Sequence, residues 1–453
     1  MTPDAKPQIF AIKRGMINNR LDADFFQLVQ KNISHRNVVS LGSLCAEEPN
    51  YGSSQPAIKK DNDKQPNYIR ITDFSDFGIE ANHEFVSVSG FSPKDILKDR
   101  DLLFARTGAS VGKSYIHDEK IGFSVFAGYC IRFRFNPKKV LPEYVWAYTK
   151  TNDFKCWVMR TQRKSGQPNI NKEEYKSVQI PCPSIDEQRR MVVFFMNGIE
   201  TRKNKLQQAK ELLLGMDGLV LNLLNLSAKN NTNKFGFAVR LGKLDGVIDV
   251  KRYLNTNQVE TPLRIHNIAD VIKTKINPQN YPEETFDWIR IDDLPNQPID
   301  ITEVREERGD SIEGTFFEVQ PGDILVARLG PTILNRKTVM VRATKRRTIA
   351  SSEFLVLRCK EGYSPEAVMA ILKTKWFVDQ MYANSRGSTP SRYRLNRDDM
   401  LNLTFPDITD TKLQNIIASE AIRRRDQALT LRNTAEKEWQ NAREQFEKEL
   451  LGE

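Results

Sequence analysis

Gly108-Ala109-Ser110-Val111-Gly112-Lys113-Ser114 is the stretch of this chain that comes nearest to a catalytic signature. Two glycines followed by Lys-Ser suggest a phosphate-cradling loop, whose amides and lysine would bind a nucleotide. That loop needs four residues between its glycines, and here there are three. A related stretch, Gly330-Pro331-Thr332-Ile333-Leu334-Asn335-Arg336-Lys337, keeps the basic residue and loses the second glycine. A glycine turn presenting a cation fits both better. Glu174-Tyr175-Lys176 supplies half of a nuclease motif, with no well-placed aspartate upstream. There is no Cys-x-x-Cys among five cysteines, and the four histidines (His35, His83, His117, His266) share no metal-like spacing. A methyltransferase-type Asn/Asp-Pro-Pro-aromatic tetrapeptide and a Gly-x-Gly-x-x-Gly cofactor loop are also absent. The expectation is a protein without catalytic residues, metal or cofactor.

Polar reading chemistry is better represented. Arg163-Lys164-Ser165-Gly166-Gln167-Pro168-Asn169 and Ser385-Arg386-Gly387-Ser388-Thr389-Pro390-Ser391-Arg392 are small, polar, basic loops. Lys and Arg neutralise phosphates, whereas Arg, Gln, Asn and Ser read base edges. The loops lie in basic runs: residues 131–172 hold ten Lys/Arg against two Asp/Glu, and 336–397 hold fourteen against four. Tyr144 and Tyr148, at helical spacing in the first run, read as core rather than as stacking platforms. Each run alone could be a solvated face; two in equivalent places favour a nucleic-acid partner.

Those places are equivalent because the chain of 453 residues repeats itself. Tyr68-Ile69-Arg70-Ile71 recurs as Trp288-Ile289-Arg290-Ile291, and Asp101-Leu102-Leu103-Phe104-Ala105-Arg106 as Asp323-Ile324-Leu325-Val326-Ala327-Arg328. Pro142-Glu143 answers to Pro365-Glu366, and Ile170-Asn171 to Leu395-Asn396; Leu21-Asp22-Ala23 and Ile248-Asp249-Val250 form a weaker pair. Collinear anchors at offsets of 220 to 227 indicate a duplication. Within each copy, Ile69-Arg70-Ile71, Leu102 to Phe104, Tyr129 to Phe135 and Leu355 to Leu357 have strand composition, and helices start near Pro142 and Pro365.

Each copy ends in a long proline-free stretch. Ser184-Ile185-Asp186-Glu187 is a capping box. Val192, Phe195, Ile199, Leu206, Ala209, Leu213 and Val220 follow at three-four spacing, interrupted by Arg202. In the second stretch Ala421, Ala428, Ala435 and Ala442 recur at sevens, beside Leu431, Trp439, Phe446 and Leu450. Gly198, Gly215 and Gly218 lower helix propensity and predict close approach of a partner backbone or ring. Two helices of about 42 residues, roughly 63 Å long, are expected to pair antiparallel. Ser227 to Lys234 reads as the turn into the second lobe. The predicted order is a lobe over 1–183, a helix over 184–226, a lobe over 227–408 and a helix over 409–453. The fold class is α+β: two tandem mixed α/β domains separated by an antiparallel coiled coil, with pseudo-two-fold repeat.

The net charge of +10 permits an anionic partner; residues 1–226 hold 33 basic and 25 acidic side chains, residues 227–453 hold 35 and 33. No apolar run approaches a membrane span, and Met1-Thr2-Pro3-Asp4 shows no secretory signal, so a cytoplasmic protein is expected.

The chain resembles the DNA-specificity subunit of type I restriction–modification systems. Asp101 to Gly108 with Gly112-Lys113-Ser114, then Gly166-Gln167-Pro168-Asn169-Ile170-Asn171, Ile180-Pro181-Cys182-Pro183 and Glu187-Gln188-Arg189 carry the resemblance. The second copy departs from it: Gly-Lys-Ser is missing, Phe405-Pro406-Asp407 lacks the second proline, and its helix start has no Glu-Gln pair. The resemblance implies two target-recognition domains, each reading half of a split double-stranded DNA site. It also implies adenine methyltransferase subunits, two of them, docking on helices and lobes, joined by restriction/translocase subunits. The expected DNA contacts are Arg106, Lys113, Lys164, Gln167 and Asn169 in the first lobe. In the second they are Arg328, Lys337, Arg386, Ser388, Arg392 and Arg394. A basic two-lobed scaffold for a protein or another anion, or an enzyme using Gly108–Ser114 on a nucleotide, are the rival readings.

Overall fold

The computed structural model describes residues 38–79, 83–162, 167–226, 263–301 and 304–451. Lys164, the rest of 163–166, the pair Leu21-Asp22-Ala23/Ile248-Asp249-Val250 and the Ser227 to Lys234 segment lie outside them. The chain forms two compact units, one of residues up to Lys203 plus those from Ala435 onward, the other Asn204–Thr434.

In the first unit, Leu102-Leu103-Phe104-Ala105 is a fully buried apolar run and forms a central strand. It pairs antiparallel with Ser114–Ile116 on one side and Cys130–Phe133 on the other, and Asn50–Tyr51 adds to the latter. Asn67–Ile69 pairs parallel with Ser124–Phe126, and Val38–Ser40 antiparallel with Gln179–Pro181. The strand predicted over Ile69-Arg70-Ile71 stops at Ile69, because the Asp73 carboxylate accepts from the Arg70 amide at 2.8 Å and turns the chain. Likewise the Tyr129–Phe135 expectation narrows to Cys130–Phe133 behind a tight turn. Helices Pro142–Tyr148, Asn152–Thr161 and Lys172–Lys176 close one core with Phe104, Phe133, Tyr144, Tyr148, Phe154 and Tyr175.

The second unit has the same plan. Ile324–Ala327 lies between Thr338–Met340 and Phe354–Cys359, with Ala269–Val271 beyond. Thr285–Ile289 runs parallel to Thr348–Ala350, and Leu263–Arg264 pairs with Thr404–Phe405. Helices Pro365–Leu372, Lys375–Ala383 and Arg397–Leu401 follow in the same order.

Ile185–Leu223 and Thr411–Leu451 are the long helices. The capping box forms as predicted: Ser184 N donates to Glu187 Oε2 at 2.9 Å and Glu187 N to Ser184 Oγ at 3.4 Å. In the first unit, Phe195 packs its ring 5.1 Å from Trp439 and 5.3 Å from Phe446, Gly198 faces Ala442, and Arg202 pairs with Glu436. Arg202, the break in the apolar spacing, is accommodated by lying 3.7 Å over the Phe77 ring. In the second, Ala209 clusters with Ala428, Arg424 Nη1 donates to the Leu212 carbonyl at 3.2 Å, and Val220 shares a core with Ile417. Rising numbers on one helix meet falling numbers on the other, so the segments pair antiparallel in each unit. Val192 and Ile199 pack on the first core, Leu213 beside Ala209 and Ala421 on the second core, while Ala435 and Ala442 are buried. Leu206 is half-buried and joins none of the described core clusters. The close-approach expectation holds for Gly198, needs a side chain rather than a backbone at Gly215 (Arg424), and fails at Gly218, which has nothing within 4 Å.

Candidate nucleic-acid interface

The acid that opens the repeated Asp-Leu-Leu-Phe-Ala-Arg motif is an anchor. Asp101 is fully buried, takes two bonds from Arg134 at 2.7 and 2.6 Å and accepts from the Lys98 amide. Asp323 does the same with Arg358, at 2.8 Å twice, and with the Gln320 amide. A buried carboxylate is tolerated only when paired and hydrogen-bonded in this way.

The other end of the motif delivers Arg106 to an edge. Tyr175 Oη donates to the Ala105 carbonyl at 2.8 Å and accepts from Gly112 N at 3.1 Å, which fixes the turn between strands. Gly112 has φ +85°, and a Cβ there would lie 2.7 Å from Val158, so the turn requires glycine. Gly108 N donates to the Pro168 carbonyl at 3.0 Å, Ile170 N to Arg106 O at 2.9 Å, and Thr107 bridges Asn169. The glycine turn and the Gln167-Pro168-Asn169 loop are thereby zipped side by side. On this edge Lys113 and Gln167 are exposed, Asn169 is half-buried, and the Arg106 guanidinium stacks 4.7 Å over Tyr51. Lys113 makes no ion pair among the described residues. Ser114 begins a strand rather than a helix and is buried, its hydroxyl 2.5 Å from Thr149 Oγ1. A phosphate loop needs a helix N-terminus at that point, so the geometry does not support a nucleotide there.

The second lobe builds the same edge. Gly330 N donates to Tyr393 O at 2.7 Å, Leu395 N to Arg328 O at 2.8 Å, and Leu329 bridges Arg394. Its side chains are differently employed. Lys337 Nζ donates to the Ile291 carbonyl at 3.1 Å, Arg386 pairs with Asp399 at 2.9 Å and Arg394 with Glu353 at 3.0 Å. Arg328 reaches Asn396 Oδ1 at a long 3.5 Å. Ser388 and Arg392 are exposed, and Arg392 has no ion pair among the described residues.

The basic runs are not continuous positive faces. Arg132 and Arg134 fold onto Glu47 and Asp101, Arg342 onto Asp300 and Glu366, Arg346 onto Asp287 and Glu306, and Arg347 onto Glu318. Acids from distant sequence neutralise them. Two lysines at matching positions turn inward, Lys150 buried and Lys373 half-buried: Lys150 Nζ sits 3.2 Å from Ser114 O and 3.4 Å from Asp76, and Lys373 Nζ donates to Pro298 O at 2.6 Å. Burial pushes both amines down to about 8. Tyr144 and Tyr148 are core residues, as their spacing predicts.

One residue pair escaped the sequence comparison. Gln188 Oε1 accepts from Leu141 N at 2.9 Å while its amide donates to Pro183 O. Gln414 accepts from Ser364 N at 2.6 Å and donates to Gly362 O. The second helix start thus keeps the glutamine of the Glu-Gln pair and loses only the glutamate. The legible signal is a polar cap followed four residues later by Gln, as Ser184/Gln188 and Asp410/Gln414.

Among the described residues no three His, Cys, Asp or Glu side chains gather as a metal site, and no described helix is long and apolar enough to cross a membrane. Residues 36–212 match the family described as the type I restriction modification DNA specificity domain. No curated protein matches the chain. Among solved structures, similarity extends to a chain from work on complex assembly and conformational transition of the type I R-M system, at 12% identity, covering 93% of this chain and 98% of that one, TM-score 0.48. It extends also to a type I restriction-modification S subunit from M. genitalium, at 11% identity, 93% and 97% coverage, TM-score 0.47. The HsdS subunit from Thermoanaerobacter tengcongensis gives 14% identity, 93% and 98% coverage, TM-score 0.32. The family matched over residues 36–212 is by its description a DNA-specificity domain, not a catalytic one, and the similarity to it covers that stretch, less than half of the chain.

Proposed function

We propose that this chain reads a bipartite double-stranded DNA site, one half with each lobe, and directs a methyltransferase and a restriction/translocase subunit to it. The observation that carries the reading is the repeated edge: in both lobes a motif arginine leads into a turn zipped to a polar loop, through Thr107–Asn169 and Leu329–Arg394. An exposed edge bearing Lys, Arg, Gln and Asn suits phosphate anchoring and base readout. In the first lobe Arg106, Lys113, Lys164, Gln167 and Asn169 form the contact set. In the second, Ser388 and Arg392 face outward directly, while Arg328, Lys337, Arg386 and Arg394 act from the partners that hold them. Two methyltransferase subunits would dock on helices and lobes. The helices, 39 and 41 residues or about 60 Å each, would set the unread gap between half-sites.

The test is the methylome of cells expressing the chain with its methyltransferase. A bipartite motif that disappears when the chain is deleted is expected. Replacing Arg163, Lys164, Gln167 and Asn169 together by Ala should abolish methylation at the first half-site; intact methylation there would overturn the contact assignment.

A further inference from the structure

The turn before the longest-range strand of each sheet occupies the same backbone position in both lobes and carries opposite chemistry. In the first lobe Cys130 N closes the turn onto Ala127 O at 2.9 Å; in the second Phe354 N closes it onto Ser351 O at 3.1 Å. The third residue of each turn accepts from the motif arginine: Arg106 N donates to Tyr129 O at 3.0 Å, and Arg328 N to Glu353 O at 3.2 Å. Tyr129 and Glu353 are therefore equivalent positions, each beside the arginine that leads onto the reading edge.

Tyr129 is 63% exposed, the most exposed large aromatic side chain among the described residues. Its turn is rigid: Gly128 N donates to Ser53 O at 2.7 Å, and a Cβ on Gly52 would meet the Phe126 carbonyl at 2.2 Å. Arg106 already has Tyr51 as its stacking partner, so the Tyr129 ring is not needed to cover it. Glu353 instead lies half-buried, with Oε1 on Arg394 and Oε2 buried without a partner among the described residues. Arg394 remains half exposed beyond it.

We infer that this position sets the difference between the two half-sites, an inference that rests on the DNA-reading function proposed above. Tyr129 lays its ring and hydroxyl against base edges of the first half-site, because a duplex exposes only the edges of its bases, where a thymine methyl takes an apolar contact and base acceptors take a hydroxyl donor. Glu353 is a positioning residue: it holds the Arg394 fork toward the second half-site, where a fixed guanidinium reads guanine O6 and N7 as a bidentate pair.

The experiment uses the full chain with its methyltransferase subunits and selects bound duplexes from a pool of random sequence. Tyr129→Ala should weaken first-half-site preference by about tenfold and leave the second half-site alone, with Tyr129→Phe intermediate. Glu353→Gln and Arg394→Ala should relax the same guanine in the second half-site, with unchanged melting for Glu353→Gln. Wild-type selection of a bipartite site with both half-sites unaltered in Tyr129→Ala and Glu353→Gln would overturn the inference, as would effects in the opposite half-site. A wild-type complex that selects no sequence would instead remove the function on which the inference rests.

Discussion

In the first lobe Lys113 leaves the glycine turn exposed and unpaired among the described residues, whereas its counterpart Lys337 folds back onto the Ile291 carbonyl. The two lysines are equivalent by backbone: Ala105 N donates to Lys113 O, and Ala327 N to Lys337 O. The same divergence runs along the edge, where Gln167 is exposed and Arg386 and Arg394 are tied to acids. Beneath that edge a set of framework contacts recurs. Asp101–Arg134 answers to Asp323–Arg358, Gln188 to Gln414, and the parallel pairing of Asn67–Ile69 to that of Thr285–Ile289. Duplication preserved the groups whose loss would leave buried polar atoms unmatched, and freed the surface groups to differ.

That contrast can be attacked at its strongest joint first. Asp101→Ala strands Arg134 and should destabilise the protein by about 3–5 kcal/mol, measured by denaturant unfolding. Asp323→Ala should cost less, because Arg358 is 39% exposed against 20% for Arg134; equal or reversed effects would break the comparison. Gln188→Ala and Gln414→Ala each remove two bonds from a buried amide and should each lose about 1–3 kcal/mol. Marked inequality would mean the shared capping is geometric only.

The inward-turned lysines Lys150 and Lys373 give a pH test of the same symmetry. Folding lowers each amine from its ordinary value of 10.5 to about 8, so the unfolded chain binds more protons between those values. Their contribution to stability therefore rises with pH from about 8 to 10.5. Lys150→Met and Lys373→Met should each flatten that rise relative to wild type in melts taken across the window.

The smallest effects come from one substitution with opposite signs. A methyl on Gly198 would lie 2.5 Å from Ala442 Cβ, so Gly198→Ala should destabilise by about 1 kcal/mol or more. Gly218 has open space around it, and Gly218→Ala should stabilise by about 0.5–1 kcal/mol. Thermal melts that move in the same direction for both would contradict the packing described for the helix segments.

The duplication was legible because framework residues must recur in order: Asp101/Asp323, Ala105/Ala327 and Pro142/Pro365 carry it. The helices were legible from spacing and a capping box. The disposition of the charge is not legible, since a run of cations does not reveal acids that arrive from elsewhere. Arg347 meets Glu318 from 29 residues away, and Arg132 meets Glu47 from 85. The proximity of Gly108 to Pro168 depends on the zipper through Thr107 and Ile170, which spacing alone does not specify. Gln414 was hidden because its neighbour Leu413 replaced the glutamate that marks the first copy.

The first compact unit is assembled from two stretches that are far apart in time as well as in sequence. Trp439 and Phe446 complete the core that begins at Leu41, yet residues 204–434 are made between them and Lys203. At about 5–20 residues per second, a ribosome needs roughly 12–46 seconds for that interval. Throughout it Phe195 and Tyr144 have no aromatic partner from the second helix. The first lobe is thus the first to be translated and the last to be closed, and a chain released before Ala435 would carry a finished second unit beside an open first core.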